Sequence, residues 1–180
     1  MTRIVAGEWK GHPLPNLKRG SARPTTERAR TILFDTLFDL RGWEVLDLFS
    51  GTGALGFEAL SRGAASVLSI DRDRQYIESQ RDWAIKHGLG DRFETICGKL
   101  PPVLASIQKH YDLILADPPY DLEPTTSLLH VLEKLLKPTG ILVYERSRKE
   151  SEPLDFQALE LTREKVVAET RFNFYKASQI

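Results

Sequence analysis

Between Trp43 and Ser147 the chain alternates short apolar runs with stretches of helical periodicity, and this alternation limits the fold more than any other feature. The apolar runs are "WEVLDLF", "SVLSID", "RFETIC", "YDLILAD" and "GILVYERS". Between them lie "ALGFEALSRG", "RQYIESQRDWAIKHG", "LPPVLASIQKH" and "PTTSLLHVLEKLLKP", which read as helices closed by Gly63, Gly88 and, for the last, Pro138. Strands joined through helices run parallel, and a parallel sheet needs helices on both faces. "ALELTREKVVA" and "TRFNFYKAS" then alternate strictly and predict a terminal antiparallel pair. The expected architecture is α/β, a mostly parallel seven-stranded sheet in one domain over 1–180.

Residues 1–24 stand outside this rhythm. They are rich in Gly, Pro and basic residues, with a β-like "RIVAG", and predict an extended arm or hairpin. "PTTE" then opens a helix, with a threonine cap and apolar positions at Ala29, Leu33, Leu37 and Leu40; Gly42 is expected to end it. Formal net charge is zero, but residues 1–30 carry seven basic and two acidic groups, a local +5 against −5 for the rest. A basic arm on a mildly acidic body points to a polyanionic partner. No apolar stretch approaches the ~20 residues of a membrane span, and the N-terminus lacks the apolar core of a secretion signal. The lone Cys97 excludes an internal disulfide, and the four histidines show no metal-ligand spacing, so no metal site is expected. A cytoplasmic protein is the simplest expectation.

In an open parallel sheet, ligands bind beyond the carboxyl ends of the strands. The first four strands here end in "DLFSGTGALG", Asp71, "CGK" and "DPPY", so four candidate features share one edge. "GTGALG" (Gly51–Gly56) fits G-x-G-x-x-G directly after a strand, where glycines allow a tight turn and close ligand approach. Asp71 follows at the distance where a carboxylate can take both hydroxyls of a ribose. It competes with a purely structural role at the helix start, for which Asp73 is the rival. Asp47 is a carboxylate inside an apolar strand, which requires a partner: a cationic ligand group or backbone N–H groups.

"DPPY" restricts chemistry further. Asp117 and Pro118 each precede a proline and are held extended, and neither proline has an N–H. The surface is biased toward acceptors, the Asp117 carboxylate and nearby carbonyls, with the flat face of Tyr120 beside them. That combination suits an amine on a planar ring. Acceptors on both N–H bonds favour a pyramidal nitrogen and stabilise the positive charge it gains on attack.

"DLFSGTGALGFEAL", the acid at Asp71 and "DPPY" together resemble the class I S-adenosylmethionine-dependent methyltransferases that modify exocyclic amines, enzymes with a Rossmann-like sheet. "RIVAGEWKGHPLP", "RPTTERARTILFDTL", "GALGFEALSRGA" and "ADPPY" resemble the bacterial RsmD family, which methylates N2 of a guanine in 16S ribosomal RNA. The resemblance covers nearly the whole chain and thins after Ser147. It implies S-adenosyl-L-methionine held by Asp47, Phe49, Gly51, Gly53, Asp71, Arg72, Gly98 and Lys99. Gly98 and Lys99 stand where many such enzymes carry an acid for the adenine, which leaves a backbone contact there. Asp117, Pro118 and Tyr120 would hold and activate the base. Arg3, Lys10, Arg19, Arg23, Thr26, Arg28 and Arg30 would touch RNA, within a small-subunit particle, and the enzyme would act as a monomer.

Other readings fit parts of the pattern. A DNA adenine or protein glutamine methyltransferase could use the same motif. A nicotinamide-dependent oxidoreductase would use the glycine turn but leave "DPPY" unexplained. A non-catalytic RNA-binding protein would leave the cofactor features idle.

Overall fold

The computed structural model describes residues 2–15, 25–119, 122 and 124–178. Helix α1 (Glu27–Leu37) starts at the expected cap: Thr26 Oγ1 accepts the Ala29 N–H at 3.1 Å. It stops at Leu37, well short of Gly42. Phe38 turns to φ 69°, and the Asp39 N–H bonds back to the Leu37 carbonyl, closing a tight turn. Leu40 is buried all the same, but from the loop rather than from the helix.

The alternation then unfolds as β1 (Glu44–Leu48), α2 (Ala54–Ser61), β2 (Ser66–Asp71), α3 (Arg74–Lys86), β3 (Phe93–Cys97), β4 (Tyr111–Ala116), α4 (Thr126–Leu135), β5 (Leu136–Ser147), β6 (Leu159–Val167) and β7 (Thr170–Ala177). Two expected features differ. "LPPVLASIQKH" makes only a 3₁₀ turn over Pro102–Ser106, because the chain is already extended at Ile107 (ψ 120°). Pro138 does not terminate α4 but lies inside β5, which begins at once with Leu136. It falls where the β4–β5 register shifts, an irregularity that tolerates a residue unable to donate.

The seven strands order as β3-β2-β1-β4-β5-β7-β6. β1 to β5 pair in parallel, and β7 joins antiparallel to both β5 and β6. From β1 the chain winds outward through β2 and β3, then returns to the other side of β1 with β4. The crevice beyond the ends of β1 and β4 is therefore the switch point of the sheet.

Alternation along the strands divides the core in two. Val45, Val67, Leu113, Leu115 and Val143 face α1, α2 and α3, together with Phe34, Phe57, Leu60 and Trp83. Leu46, Leu48, Ile70, Ile114, Leu142 and Tyr144 face α4 through Leu128, Leu132 and Leu135. Asp47 falls on the first face by the same alternation.

The N-terminal residues fold back rather than trail. The Ile4 N–H donates to the His12 carbonyl, the Gly11 N–H to the Ile4 carbonyl and the Leu14 N–H to the Thr2 carbonyl, forming a hairpin. Its backbone is bolted to α2: the Val5 and Ala6 N–H groups donate to the two oxygens of fully buried Glu58, at 2.8 and 3.0 Å. Arg62 supplies the countercharge at 2.9 Å. Trp9 packs edge-on to Trp83 at 6.1 Å, and Trp83 also donates to the Pro13 carbonyl at 2.8 Å. Among the described residues no helix is long and apolar enough to cross a membrane.

Candidate active site

The turn after β1 carries backbone strain. Phe49 has φ 57°, a left-handed conformation that costs a residue with a Cβ about 1–3 kcal/mol. Gly51 and Gly53 follow at φ 53° and 77°, where glycine adopts the same conformation freely. A Cβ on Gly53 would meet the Phe57 ring at 2.8 Å, whereas one on Gly51 would meet nothing within 4 Å. Gly53 is thus favoured by both packing and conformation, and Gly51 by its left-handed backbone alone, with open space where a side chain would stand.

Two side chains fix this turn. Asp71 at the end of β2 accepts the Gly51 N–H on Oδ2 and the Asp73 N–H on Oδ1, each at 2.8 Å. The helix-cap role belongs to Asp73, which accepts the Gln75 N–H, so Asp71 is not the cap of α3. Each Asp71 oxygen retains a further lone pair for a hydroxyl donor. The second side chain, Gln80, is fully buried. Its amide donates to the Gly51 carbonyl at 2.7 Å and Ser50 Oγ at 3.0 Å, and accepts from Ser69 Oγ at 2.6 Å. Sequence reasoning missed Gln80. The signal was a polar residue on the buried stripe of α3 between Ile77 and Trp83.

Asp47 lies beneath the turn at 1% exposure. Its Oδ2 accepts the Gly56 N–H at 2.9 Å, while Oδ1 has no partner. Burial, reinforced by repulsion from Asp117 and Asp71, pushes its carboxyl up to about 8. A buried acceptor with one vacant oxygen, in a crevice with two further acids, fits a cation and disfavours a diphosphate.

Asp117 follows β4, with its N–H reaching the Leu48 carbonyl at 3.4 Å. Its Oδ2 lies 3.2 Å from Thr25 Oγ1, which lies 3.0 Å from Glu145 Oε2. Thr170 Oγ1 donates to Glu145 Oε1 at 3.2 Å. Burial pushes the Asp117 carboxyl up to about 7, against the hydrogen bonds from Thr25 and Glu145. Thr25 and Glu145 were not singled out from the sequence. Parallel register pairs Ala116 with Tyr144, so the acids that follow each of them lie side by side. Pro118 and Glu145 line a small cleft with Pro119, Arg146 and Glu150.

The other expected site residues divide. Gly98 donates its N–H to the Asp71 carbonyl at 2.9 Å, placing the loop after β3 beside β2; Arg72 and Lys99 are exposed near it. Arg3, Lys10 and Arg28 are exposed, and Thr26 serves as the helix cap. Arg30 is a correction: the sequence groups it with the RNA contacts, but it is 0% exposed. Its guanidinium donates to the Thr25 carbonyl at 3.0 Å and the Arg3 carbonyl at 2.7 Å, clasping the hairpin to the start of α1. Tyr120, Arg19 and Arg23 lie outside the described residues.

Comparison with known proteins places this geometry among relatives. The family described as Conserved hypothetical protein 95 matches residues 2–176. Ribosomal RNA small subunit methyltransferase D of Escherichia coli (strain K12) is 32% identical over 97% of this chain and 89% of the relative. The protein of that name from Haemophilus influenzae is 29% identical over 97% and 93%. The solved structure of "Putative methyltransferase yhhF" from Escherichia coli superposes with a TM-score of 0.85 at 28% identity, covering 98% of this chain and 97% of that one.

Proposed function

The chain belongs to the family described as Conserved hypothetical protein 95, with the ribosomal RNA small subunit methyltransferase D proteins, and on that premise we propose that it methylates the exocyclic N2 amine of a guanine in 16S ribosomal RNA. The observation that carries the reading is the acidic crevice at the switch point, where the vacant Oδ1 of Asp47 and the Asp117–Pro118 turn meet at the ends of adjacent strands. S-adenosylmethionine, when bound, supplies an electrophilic methyl on a cationic sulfur.

The residues of this chain fit that molecule. Asp47 Oδ1 takes the ammonium of its methionyl part, and the open backbone at Gly51 admits close approach. Asp71 takes the ribose hydroxyls, and the loop at Gly98 borders the adenine. Arg72 and Lys99 flank that end of the crevice, and Phe49 packs under it.

On the substrate side, Asp117 and the Pro118 carbonyl accept the two amine hydrogens. These bonds strengthen as positive charge grows on nitrogen, so they favour the transition state over the ground state. Tyr120, the next aromatic in the motif, stacks on the base once it is turned out of its own stack. Arg3, Lys10 and Arg28 contact phosphates, with Arg19 and Arg23 from the same basic segment. Such contacts supply affinity and orientation rather than base choice. The substrate form is a small-subunit particle in the cytoplasm, and the enzyme acts as a monomer.

The test is methyl transfer from radiolabelled S-adenosylmethionine to small ribosomal subunits of a strain lacking this protein, with naked ribosomal RNA, DNA and ribosomal protein alongside. Label at N2 of one guanine is the expected result. Label only in DNA or protein would overturn the substrate. Asp117→Ala should bind cofactor and transfer almost nothing, and full activity in that variant would remove Asp117 from its role.

A further inference from the structure

The Gly53 N–H bonds to the Ser50 carbonyl at 2.8 Å, so residues 50–53 form a β-turn with the Gly51–Thr52 peptide at its centre. Asp71 fixes the entry to the turn by taking the Gly51 N–H at 2.8 Å. The start of α2 fixes its exit, where the Phe57 N–H bonds to the Gly53 carbonyl at 2.9 Å. The central peptide is the part left to tilt, and Gln80 holds it. From α3, the Gln80 amide nitrogen donates to the Gly51 carbonyl at 2.7 Å and to Ser50 Oγ at 3.0 Å.

The amide has only one orientation that fits. The Gly51 carbonyl can only accept, so the nitrogen must lie against it, and Ser69 Oγ on β2 donates to Oε1 at 2.6 Å. Gln80 and Ser69 are both 0% exposed. A Cβ on Gly53 would stand 3.1 Å from Gln80 Cγ and Cδ, so the glutamine stem packs directly against the turn. A methionine of similar volume would fill this space without burying a polar group. Packing alone therefore does not account for a glutamine here.

A trans peptide is planar, with its C=O and N–H on opposite sides. Turning the Gly51 carbonyl inward to Gln80 turns the Thr52 N–H away from α3, and no acceptor among the described residues takes it. We propose that Gln80 is a positioning residue for S-adenosylmethionine: by holding the Gly51 carbonyl inward, it presents the Thr52 N–H to the carboxylate of the cofactor's methionyl part. This rests on the methyltransferase reading above. The arrangement separates the two charges of that part. The ammonium goes to the vacant Oδ1 of Asp47, and the carboxylate to a backbone donor. The Gly51 carbonyl, an acceptor that would repel the carboxylate, is kept turned away.

The test uses two ligands that differ only in that carboxylate: S-adenosylmethionine and its decarboxylated form. Kd is measured for each by titration calorimetry with the full chain. Gln80→Met should weaken S-adenosylmethionine about tenfold, the loss of a hydrogen bond to a charged group, and change the decarboxylated ligand by less than about twofold. Ser69→Ala removes only the bond that anchors the amide from behind. It should show the same selective loss at about threefold, and it decides the matter if Gln80→Met does not fold. In the wild-type protein the Thr52 amide proton should move downfield in NMR spectra on adding S-adenosylmethionine, and stay nearly still on adding the decarboxylated form. Equal weakening of both ligands in the variants would mean a merely structural role. Unchanged affinity for S-adenosylmethionine would mean no role in binding. Either result refutes the proposal. A wild-type protein that binds neither ligand would remove the methyltransferase reading itself, and the proposal with it.

Discussion

Asp47 makes the ligand-free protein lose stability as pH rises, and replacing it should reveal by how much. In the unfolded chain its pKa is near 3.8, and in the fold burial raises it to about 8. Between those values the folded state holds a proton that the unfolded state has released. Unfolding free energy therefore falls with pH, by ~1.4 kcal/mol per unit from this group alone, and levels off above pH 8. From pH 5 to pH 7 that amounts to about 2.7 kcal/mol. Asp47→Asn keeps an oxygen for the Gly56 N–H and cannot ionise. Urea unfolding of the two proteins at pH 5, 6, 7 and 8, without cofactor, should give curves that diverge in the variant's favour as pH rises. Relief of repulsion on Asp117 and Asp71 would steepen the divergence and not reverse it. Saturating S-adenosylmethionine should flatten the wild-type slope, because a bound ammonium favours the ionised carboxylate, and should leave the variant nearly unmoved. Parallel pH curves for the two ligand-free proteins would refute the reasoning: Asp47 would then be either ionised at an ordinary pKa or solvated.

Further outcomes follow from the hairpin and the basic residues. Glu58→Ala removes both acceptors for the Val5 and Ala6 N–H groups and leaves Arg62 without its buried partner, so it should destabilise the fold by about 3–5 kcal/mol in urea unfolding. Lys10→Ala with Arg28→Ala should weaken particle binding and lower the slope of log affinity against log salt by about 2. Arg30→Met should lower the melting temperature while leaving that slope unchanged, because its guanidinium is spent on two backbone carbonyls.

The fold was legible because its evidence is periodic. Five apolar runs separated by helical stretches call for a parallel sheet covered by helices on both faces, and alternation over "ALELTREKVVA" and "TRFNFYKAS" makes the terminal pair equally plain. Boundaries were less legible where a tertiary contact decided them. Gly42 looked like a helix stop, but the chain leaves α1 at Phe38, and nothing local in "LFDLRG" marks that turn. Pro138 looked like another, but the strand begins before it at a register shift visible only once β4 is alongside. Arg30 shows the same limit for charge. An arginine in a basic segment reads as a phosphate contact until the hairpin folds over it and claims its donors.

Glu145 shows why a site is harder to read than a sheet. "GILVYERS" ends in mixed charge, and a carboxylate after four apolar residues resembles the polar rim of any strand. Its meaning comes from register. Aligning "LILAD" with "LVYE", as parallel neighbours with Ala116 opposite Tyr144, sets Asp117 beside Glu145 on the face that Thr25 reaches from the start of α1. Sequence singles out Asp117 because the two prolines that follow it restrict the backbone. It does not name Glu145, the acid that lies beside Asp117, because that neighbour is chosen by strand order. Strand order follows from the crossover rules only as one of several permitted arrangements. The same logic locates Gln80, a helix residue whose amide matters only because β1 and β2 bring the glycine turn over it. Positioning groups of this kind should be sought at the register partners of a recognised motif rather than along the chain from it.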